Sequence, residues 1–247
     1  MTGSIVWKGT DIYIRSDVDS LREYHRKGLP VILVLSDENR ELDTSFARFA
    51  VSLDETTEDV REDYLSNIES IVGSDFLDRV VARAVGVPMT ICRTDRLVVR
   101  ELAISDVADI VRIYEDADGK IESFFDDFED AQEYLKGYIE NVYDIYGCGI
   151  WGITSTDDLG CEIIGIAGLT ARVSDTEGNS GVSLELGYAL DNQHRGKGYA
   201  YEACSGIIQY ADKNLEYDDI FVRVAKNNEP GLKLAQKLRA DYKIRIV

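Results

Sequence analysis

The 247-residue sequence contains few cysteines, prolines and histidines, and it has no long apolar run. Its four cysteines are scattered without a Cys-x-x-Cys pair, which argues against a metal site and against a disulfide framework. No apolar stretch approaches the roughly 18 to 20 residues that a membrane-spanning helix needs. The N-terminus also lacks the basic start and apolar segment of a signal peptide. We therefore expect a cytoplasmic protein with no metal ion and no membrane partner.

Basic residues are outnumbered, with 27 Lys and Arg against 46 Asp and Glu and a formal net charge of −19. This excess of negative charge argues against nucleic acid as a partner. The charge is unevenly spread: residues 115–144 hold eleven acidic residues and two lysines, whereas residues 221–247 hold seven basic residues and two acidic ones. The acidic segment is either a solvated surface or the side of a site that receives a cation. The basic segment would suit an anionic ligand.

A strand, a basic loop containing glycine and a helix follow one another between residues 184 and 215. Residues 184–191 alternate as a half-buried strand does, and residues 199–215 have a helical pattern. The loop between them reads Gln-His-Arg-Gly-Lys-Gly over residues 193–198. Glycines let backbone N–H groups turn toward an anion, and the helix N-terminus and the two cations add positive charge. The segment predicts a pyrophosphate site, although a Gly-x-Gly before a helix is also typical of a tight turn.

The complete string is more specific. Gln-x-x-Gly-x-Gly, with Glu-Leu-Gly-Tyr at residues 185–188 in the preceding strand, resembles the acyl-CoA loop of the GNAT N-acetyltransferases. It is most similar to the branch that includes the ribosomal-protein N-acetyltransferases. Thr-Asp-Arg-Leu at residues 94–97, with Arg100 and Asp106, resembles the start of that branch. The resemblance covers about residues 94–247 and implies an α/β chain with the α+β GNAT fold, a central mixed and splayed β-sheet flanked by helices.

The resemblance implies transfer of an acetyl group from acetyl-CoA to a primary amine, by direct attack in a ternary complex. Backbone groups in the strand at residues 184–191 would pair with the pantetheine arm and polarise the thioester. Residues 195–200 would hold the pyrophosphate, and an Asn before the last helix would meet the CoA arm. The implied cofactor-binding residues are Ala189, Leu190, Gln193, Arg195, Gly196, Lys197, Gly198, Tyr199, Ala200 and Asn228.

Glu185 is the candidate catalytic base. An alkylammonium has a pKa near ~10.4, so the acceptor must lose a proton before it attacks. Glu185 matches the family's Glu in this strand, and alternation places it on the same face as Gly187 and Ala189. A structural hydrogen bond to a neighbouring strand is the alternative role. His25 lies outside the resemblance and His194 is predicted to be an exposed loop residue, so neither is assigned as the base.

The last helix departs from the family pattern. Many relatives place a Tyr there as a general acid, and Ala235 stands at that position in this sequence. An alternative function is therefore a catalytically lapsed acyl-CoA-binding regulatory module. The acceptor itself would be a small-molecule or peptide amine, and a homodimer remains open.

Aromatic residues among the acidic ones would wall the acceptor side of the site. This arrangement suits a polyamine, an aminoglycoside-like amine or a protein N-terminus. The helical spacing of Phe128, Tyr134 and Tyr138 is more typical of core than of such a wall, and Trp151, on a predicted strand, is also predicted to be core. The aromatic residues in question are Tyr114, Phe124, Phe125, Phe128, Tyr134 and Tyr138.

The remaining elements follow the GNAT order, and residues 1–90 form a separate small α/β domain. In the acetyltransferase region the pattern predicts strands at 97–102, 149–154, 162–173, 219–225 and 243–247, and helices at 106–116 (capped by Ser105), 126–146 and 231–238. In the first domain it predicts strands at 12–15, 30–35 and 48–53, and helices at 18–27 and 58–85 with a break at Gly73. Asp17 and Asp19 are predicted helix N-cap residues, although their spacing faintly resembles haloacid-dehalogenase-type phosphohydrolases. A docking or oligomerisation role is the expectation for this domain.

Overall fold

The computed structural model describes residues 2–35, 39, 42, 49–52, 67–116, 128–143, 148–156, 162–176 and 179–247. The chain divides into two compact units, Met1–Met89 and Thr90–Val247. No helix in these described ranges is long and apolar enough to cross a membrane.

The first unit contains a four-stranded sheet in the order β1-β2-β3-β4. Its strands are β1 (Thr2–Trp7), β2 (Thr10–Arg15), β3 (Val31–Leu35) and β4 (Ala50–Ser52), and its helices are α1 (Val18–Arg26), α2 (Ile68–Val72) and α3 (Ser74–Val85). The pairs β2–β3 and β3–β4 are parallel, as predicted. The sequence did not predict β1, which pairs with β2 in antiparallel fashion through a tight turn at Lys8 and Gly9. The sequence does not indicate this strand, because residues 2–7 read Thr-Gly-Ser followed by three consecutive apolar residues and so lack the alternation typical of a half-buried strand.

Asp17 is the N-cap of α1, as predicted, whereas Asp19 lies in the first turn of the helix and is not its cap. Its carboxylate accepts hydrogen bonds from the Ser20 hydroxyl at 2.5 Å and from the Asp19 N–H at 3.2 Å. The Ser20 bond is the largest influence on the pKa of Asp17, which lies below its usual value. Gly28 ends the helix at a φ of +70°. The described contacts of Asp17 are therefore those of a helix cap, and the docking or oligomerisation role of this unit stays a prediction.

The second unit contains a seven-stranded sheet in the order β11-β10-β9-β8-β7-β6-β5. Its strands are β5 (Thr90–Arg93), β6 (Leu97–Arg100), β7 (Ile150–Ser155), β8 (Gly165–Thr176), β9 (Asn179–Leu190), β10 (Asp219–Val222) and β11 (Ile244–Ile246). Its helices are α4 (Val107–Asp116), α5 (Phe128–Asn141), α6 (Tyr199–Asn214) and α7 (Glu229–Asp241). Neighbours from β5 to β9 are antiparallel, and β9–β10 and β10–β11 are parallel. The predicted fold class, a mixed sheet flanked by helices and preceded by a small α/β unit, is confirmed.

Alternation along β9 directs its side chains to two cores. Leu184 and Leu186 pack with Ile207 of α6 in the larger core. Ala189 packs with Ile110 of α4 in a second core that also includes α5. The side of the sheet that carries Glu185 and Ala189 is therefore the side of α4 and α5.

The structure corrects three details. Strand β5 joins the sheet beside β6, where the sequence predicted only a boundary between domains. Ser105 does not cap a helix but lies inside the 3₁₀ turn Ile104–Asp106. Asp106 does the capping instead, because its carboxylate accepts from the Ala103 N–H at 2.7 Å and is held by Arg100 at 2.8 Å. The last helix also begins earlier than predicted, at Glu229.

Candidate active site

Strands β9 and β10 separate partway along their length. Their register joins Ser183 to Asp219, Leu184 to Ile220 and Glu185 to Phe221. Beyond Glu185, no further β9–β10 pair occurs within the described residues, although β9 continues to Leu190. A gap therefore opens between two parallel strands, and β9 presents backbone groups to it.

Two backbone hydrogen bonds show which β9 residues direct their peptide groups into this gap. The Asp191 N–H donates to the Ile164 carbonyl at 3.1 Å, on the β8 side. The Val182 carbonyl accepts from the Asp218 N–H at 2.8 Å, on the β10 side. Because peptide groups alternate in direction along a strand, the even-numbered residues of β9 face β10. Those beyond the last pair are Leu186, Tyr188 and Leu190.

This geometry differs from the expectation for one residue. Ala189 lies two residues before Asp191, so its peptide groups point to the same side of β9. Its N–H and carbonyl therefore face Ile166 of β8 rather than the gap. The geometry supports Tyr188 in its place as the backbone partner of a ligand arm. Leu190 faces the gap, but its carbonyl already accepts a hydrogen bond from Arg195 Nε at 3.0 Å.

The predicted glycine loop lies between the end of β9 and the start of α6. It begins with a 3₁₀ turn, Asn192–His194, and continues through Gly196 and Gly198 at φ values of +75° and +82°. Gly198 is the N-cap of α6, and the geometry of an α-helix leaves the N–H groups of its first turn without partners in the helix. The structure therefore brings the predicted loop residues 193–200 to the positive end of one helix.

Asp191 joins the loop to α4. Its buried carboxylate accepts from Arg112 at 2.6 Å, from His194 Nδ1 at 2.7 Å and from the His194 N–H at 3.0 Å. Burial alone would raise the pKa of Asp191, but the hydrogen bonds from Arg112 and His194 outweigh burial and hold the pKa below its usual value. His194 is accordingly half-buried rather than an exposed loop residue. The sequence pattern did not single out Arg112, because nothing near it in the chain indicates a partner 79 residues away.

The two cations of the loop, Arg195 and Lys197, differ in their hydrogen-bond partners. Arg195 donates to the Leu190 carbonyl and, at 3.0 Å, to the Asp116 carbonyl, so its guanidinium ties the loop to the C-terminal end of α4. Lys197 is exposed, and its ammonium has no hydrogen-bond or ion-pair partner in the part of the chain that the structure describes. Of the two, Lys197 is the cation that remains available to an anion.

The Thr-Asp-Arg-Leu segment at residues 94–97 is hydrogen-bonded to the N-terminal end of α6. The Glu202 carboxylate, in the first turn of α6, accepts from the Thr94 hydroxyl at 2.6 Å, the Arg96 N–H at 2.9 Å and Arg96 Nε at 2.7 Å. Arg96 also donates to the Lys197 carbonyl at 3.1 Å, and its guanidinium lies 4.7 Å from the centre of the Tyr199 ring. Burial would raise the pKa of Glu202, but these bonds outweigh it and the pKa is lowered. Arg96 thus holds the loop backbone against the helix.

Glu185 lies where β9 and β10 begin to separate. Its two carboxylate oxygens accept from Arg172 Nε at 2.9 Å and from Arg223 Nε at 3.2 Å. Two residues further along the same face, Gly187 is exposed, and a Cβ at that position would meet open space. Glu185 therefore stands at the edge of an open area beside the gap, positioned by two arginines.

Two residues of the last helix have structural partners. Asn228 caps α7, with its side-chain oxygen accepting from the Gly231 N–H at 3.0 Å. Ala235 is fully buried in the larger core. Ala235 thus stands where the resemblance implies a tyrosine, and the cap leaves the Asn228 NH₂ group as the part that could meet a ligand.

Three of the predicted aromatic residues line a small apolar cavity between α4, α5 and the sheet. Tyr114, Tyr134 and Tyr138 surround a volume of about 20 Å³, enough for about one water molecule. Burial raises the pKa of Tyr114 to about 12, and the Tyr138 hydroxyl accepts from the Ile150 N–H at 2.6 Å. Trp151 is core, as expected. Phe124 and Phe125 lie outside the described residues, as does the side chain of Phe128.

Comparison with known proteins agrees with this geometry. A family profile described as an acetyltransferase (GNAT) domain matches residues 96–241. The uncharacterized N-acetyltransferase p20 of Bacillus licheniformis is 34% identical over 77 residues, which is 31% of this chain and 40% of that protein. The uncharacterized protein YkkB of Bacillus subtilis (strain 168) is 23% identical over 97 residues, 39% of this chain and 53% of that protein. The chain thus spans about half or less of the curated relatives it matches.

The solved structures to which this chain is similar include the ribosomal-protein-S5-alanine acetyltransferase from Vibrio fischeri. That structure has a TM-score of 0.48 and 19% sequence identity, and the match covers 62% of this chain and 81% of that one. The family match spans well over half of the chain, so the chain belongs to the GNAT acetyltransferase family. The family predicted from the loop and strand motifs is confirmed.

Proposed function

We propose that this protein transfers an acetyl group from acetyl-CoA to an amine acceptor. The observation that carries the proposal is the gap between β9 and β10, which opens directly beside a glycine loop at the N-terminus of α6. A thioester arm in the gap and a pyrophosphate on the loop would together occupy both features. Membership in the GNAT family supports the same reaction.

The chain's own groups suggest how acetyl-CoA is held. Backbone groups of Tyr188 and Leu190 would pair with the pantetheine arm, and a backbone N–H there would polarise the thioester carbonyl. Residues 195–200 would hold the pyrophosphate through N–H groups at the helix end. Lys197 would add Coulomb attraction, and the Asn228 NH₂ group would meet the arm from the side of α7. Gln193, exposed on the 3₁₀ turn, would contact the outer part of the ligand.

Transfer requires a neutral amine. In the proposed step the amine nitrogen forms a bond to the acetyl carbon, the C–S bond breaks, and CoA leaves as a thiolate that takes up a proton. Glu185 is the candidate base for the proton that the amine loses, directly or through water, because it lies on the face that carries Gly187 and the open area beside it. The thiolate needs little help to leave, since the thiol pKa is only ~8.5.

The alternative function is an acyl-CoA-binding regulatory module without turnover. Ala235 favours it, because this buried alanine removes the tyrosine that relatives use as a general acid. The intact loop is equally compatible with both functions. Turnover, rather than CoA binding, therefore distinguishes them.

The test is thiol release from acetyl-CoA by the full chain, with CoA binding measured by calorimetry alongside. The acceptor panel contains polyamines, aminoglycosides, amino acids and peptides with free N-termini. Turnover with at least one acceptor is the expected result. Tight CoA binding without turnover across the panel would favour the regulatory module, and absence of CoA binding would contradict both functions.

A further inference from the structure

An arginine patch covers the open sheet face around Glu185. Arg172 of β8 and Arg223, which follows β10, donate to the two oxygens of Glu185. Arg245 of β11 donates to Asp219, and the guanidinium groups of Arg223 and Arg245 lie 5.8 and 5.4 Å from the centre of the Phe221 ring. We define the arginine patch as Arg172, Arg223 and Arg245.

The exposed charge of this patch is positive although the chain carries a net charge of −19. The three arginine side chains are 57–67% exposed, whereas the carboxylates of Glu185 and Asp219 are 18% and 27% exposed. A molecule that approaches this face therefore meets guanidinium groups first. The acids lie beneath and fix the arginine positions, which lowers the entropy lost when the guanidinium groups bind a ligand.

We infer that the acceptor carries a carboxylate close to the amine that is acetylated. This inference rests on the proposed function, because it assigns a substrate class to the same site. Guanidinium groups bind carboxylates through paired, charge-assisted hydrogen bonds, and the patch surrounds the residue proposed to take the proton from the amine. A carboxylate on the patch would bring a nearby amine to Glu185. A polyamine would instead be repelled by three arginines.

The inference selects among the acceptors that the sequence left open. The acidic stretch at residues 115–144 favoured a cationic acceptor, whereas the two side chains bonded to Glu185 are arginines. The charged side chains paired with Glu185 from the adjoining strands are Arg172 and Arg223, and Asp219, on the same face of β10, is paired with Arg245. The charge nearest the proposed point of reaction therefore favours an anionic acceptor.

The experiment compares acceptors matched in everything but charge. Peptides with the same first residue, followed by acidic, neutral or basic residues, are assayed for thiol release beside free glutamate, glutamine and spermidine. We expect the acidic peptides or glutamate to give the highest kcat/KM, and the advantage to shrink as salt rises from 50 to 500 mM because exposed charges are screened. The comparison of kcat/KM for glutamate with kcat/KM for the acidic peptides distinguishes a small-molecule acceptor from a peptide acceptor.

Variants assign the effect to the patch. Arg172→Gln and Arg223→Gln should each raise KM for the acidic acceptor about tenfold, the size expected for a charge-assisted hydrogen bond, with the Kd for CoA unchanged. Arg172→Lys should recover part of the loss. Arg223→Glu should shift the preference toward basic peptides. Lys27→Gln, at an exposed ion pair in the first unit, is the matched control and should change none of these values.

A direct binding measurement keeps this inference separate from the proposed function. Calorimetry of the acidic and basic peptides against the CoA-saturated protein reports on the patch whether or not transfer occurs. Acidic-peptide binding that is lost in Arg172→Gln and Arg223→Gln supports the patch, even where absent turnover contradicts the proposed acetyl transfer. Equal binding or equal kcat/KM for acidic, neutral and basic acceptors would overturn the inference while leaving acetyl transfer intact.

Discussion

Arg112 of α4 donates to Asp191 at 2.6 Å, and this contact joins α4 to the residue that precedes the glycine loop. Asp191 is buried and also accepts from the backbone and ring of His194. Because a buried carboxylate is stable only while it is paired, the loop conformation depends on Arg112. The loop is therefore built by tertiary contacts as much as by its own glycines.

Replacing Arg112 tests this dependence. Arg112→Ala should lower the free energy of unfolding by about 1–3 kcal/mol, because it leaves a buried acceptor short of a donor. It should also weaken CoA binding about tenfold, with kcat at saturating acetyl-CoA much less affected. Calorimetry and denaturant unfolding measure the two effects. Arg112→Lys should recover part of both, and equal CoA affinity in all three proteins would contradict the role.

The lowered pKa values of Asp191 and Glu202 predict how stability responds to acid. Both groups have folded pKa values below their unfolded ones, near ~3.9 and ~4.3. Their contribution to the free energy of unfolding is therefore complete above the unfolded pKa and is lost as the pH falls through the folded pKa. Stability should drop steeply below about pH 4. Asp191→Asn should flatten that slope, and an unchanged slope would contradict the assignment.

Substitution of Lys197 should affect CoA binding, whereas substitution of Arg195 should affect thermal stability. Lys197→Gln should leave the Tm unchanged and weaken CoA binding several-fold at low salt, with the difference vanishing as salt screens the charge. Arg195→Gln should lower the Tm, because the carbonyls of Leu190 and Asp116 lose a charged donor. Thermal unfolding and calorimetry at two salt concentrations test the pair. A fall in Tm for Lys197→Gln would mean that Lys197 has a structural role.

Gly198 tests the conformation of the loop. Its φ of +82° is left-handed, so Gly198→Ala should cost about 1–2 kcal/mol of stability and weaken CoA binding. Gly198→Glu should abolish CoA binding, by steric block and charge repulsion. Gly28→Ala is the matched control, since Gly28 has a φ of +70° and open space around it in the other unit. That control should lose similar stability while binding CoA normally.

Glu185→Gln tests the proposed base. A general base contributes roughly 10²- to 10⁴-fold, so kcat/KM should fall by that order, most at low pH, while the Kd for CoA stays unchanged. The pH–rate profile distinguishes this role from a structural one. A loss that is the same at every pH would assign Glu185 to holding Arg172 and Arg223 in place.

Most elements of the second unit could be predicted from the sequence, because their patterns are local. The alternation of β9, the glycines of the loop and the helical period of α6 all lie within about thirty residues and act through adjacent backbone. Strand β5 and the capping contact that Asp106 makes with the Ala103 N–H were missed for the same reason. Their partners, β6 and Arg100, decide them, and Thr90–Arg93 has no distinctive pattern of its own.

The sequence by itself determined the family, the loop and the face of β9 that carries Glu185, since each depends on residue types at short spacing. Only the tertiary structure decided which peptide groups of β9 face the gap, because that depends on pairing with β8 and β10. It also decided that Arg195 is tied to backbone carbonyls while Lys197 is free of partners among the described residues. Charges far apart in the chain, Arg112 with Asp191 and Arg172 and Arg223 with Glu185, meet only once the sheet has formed.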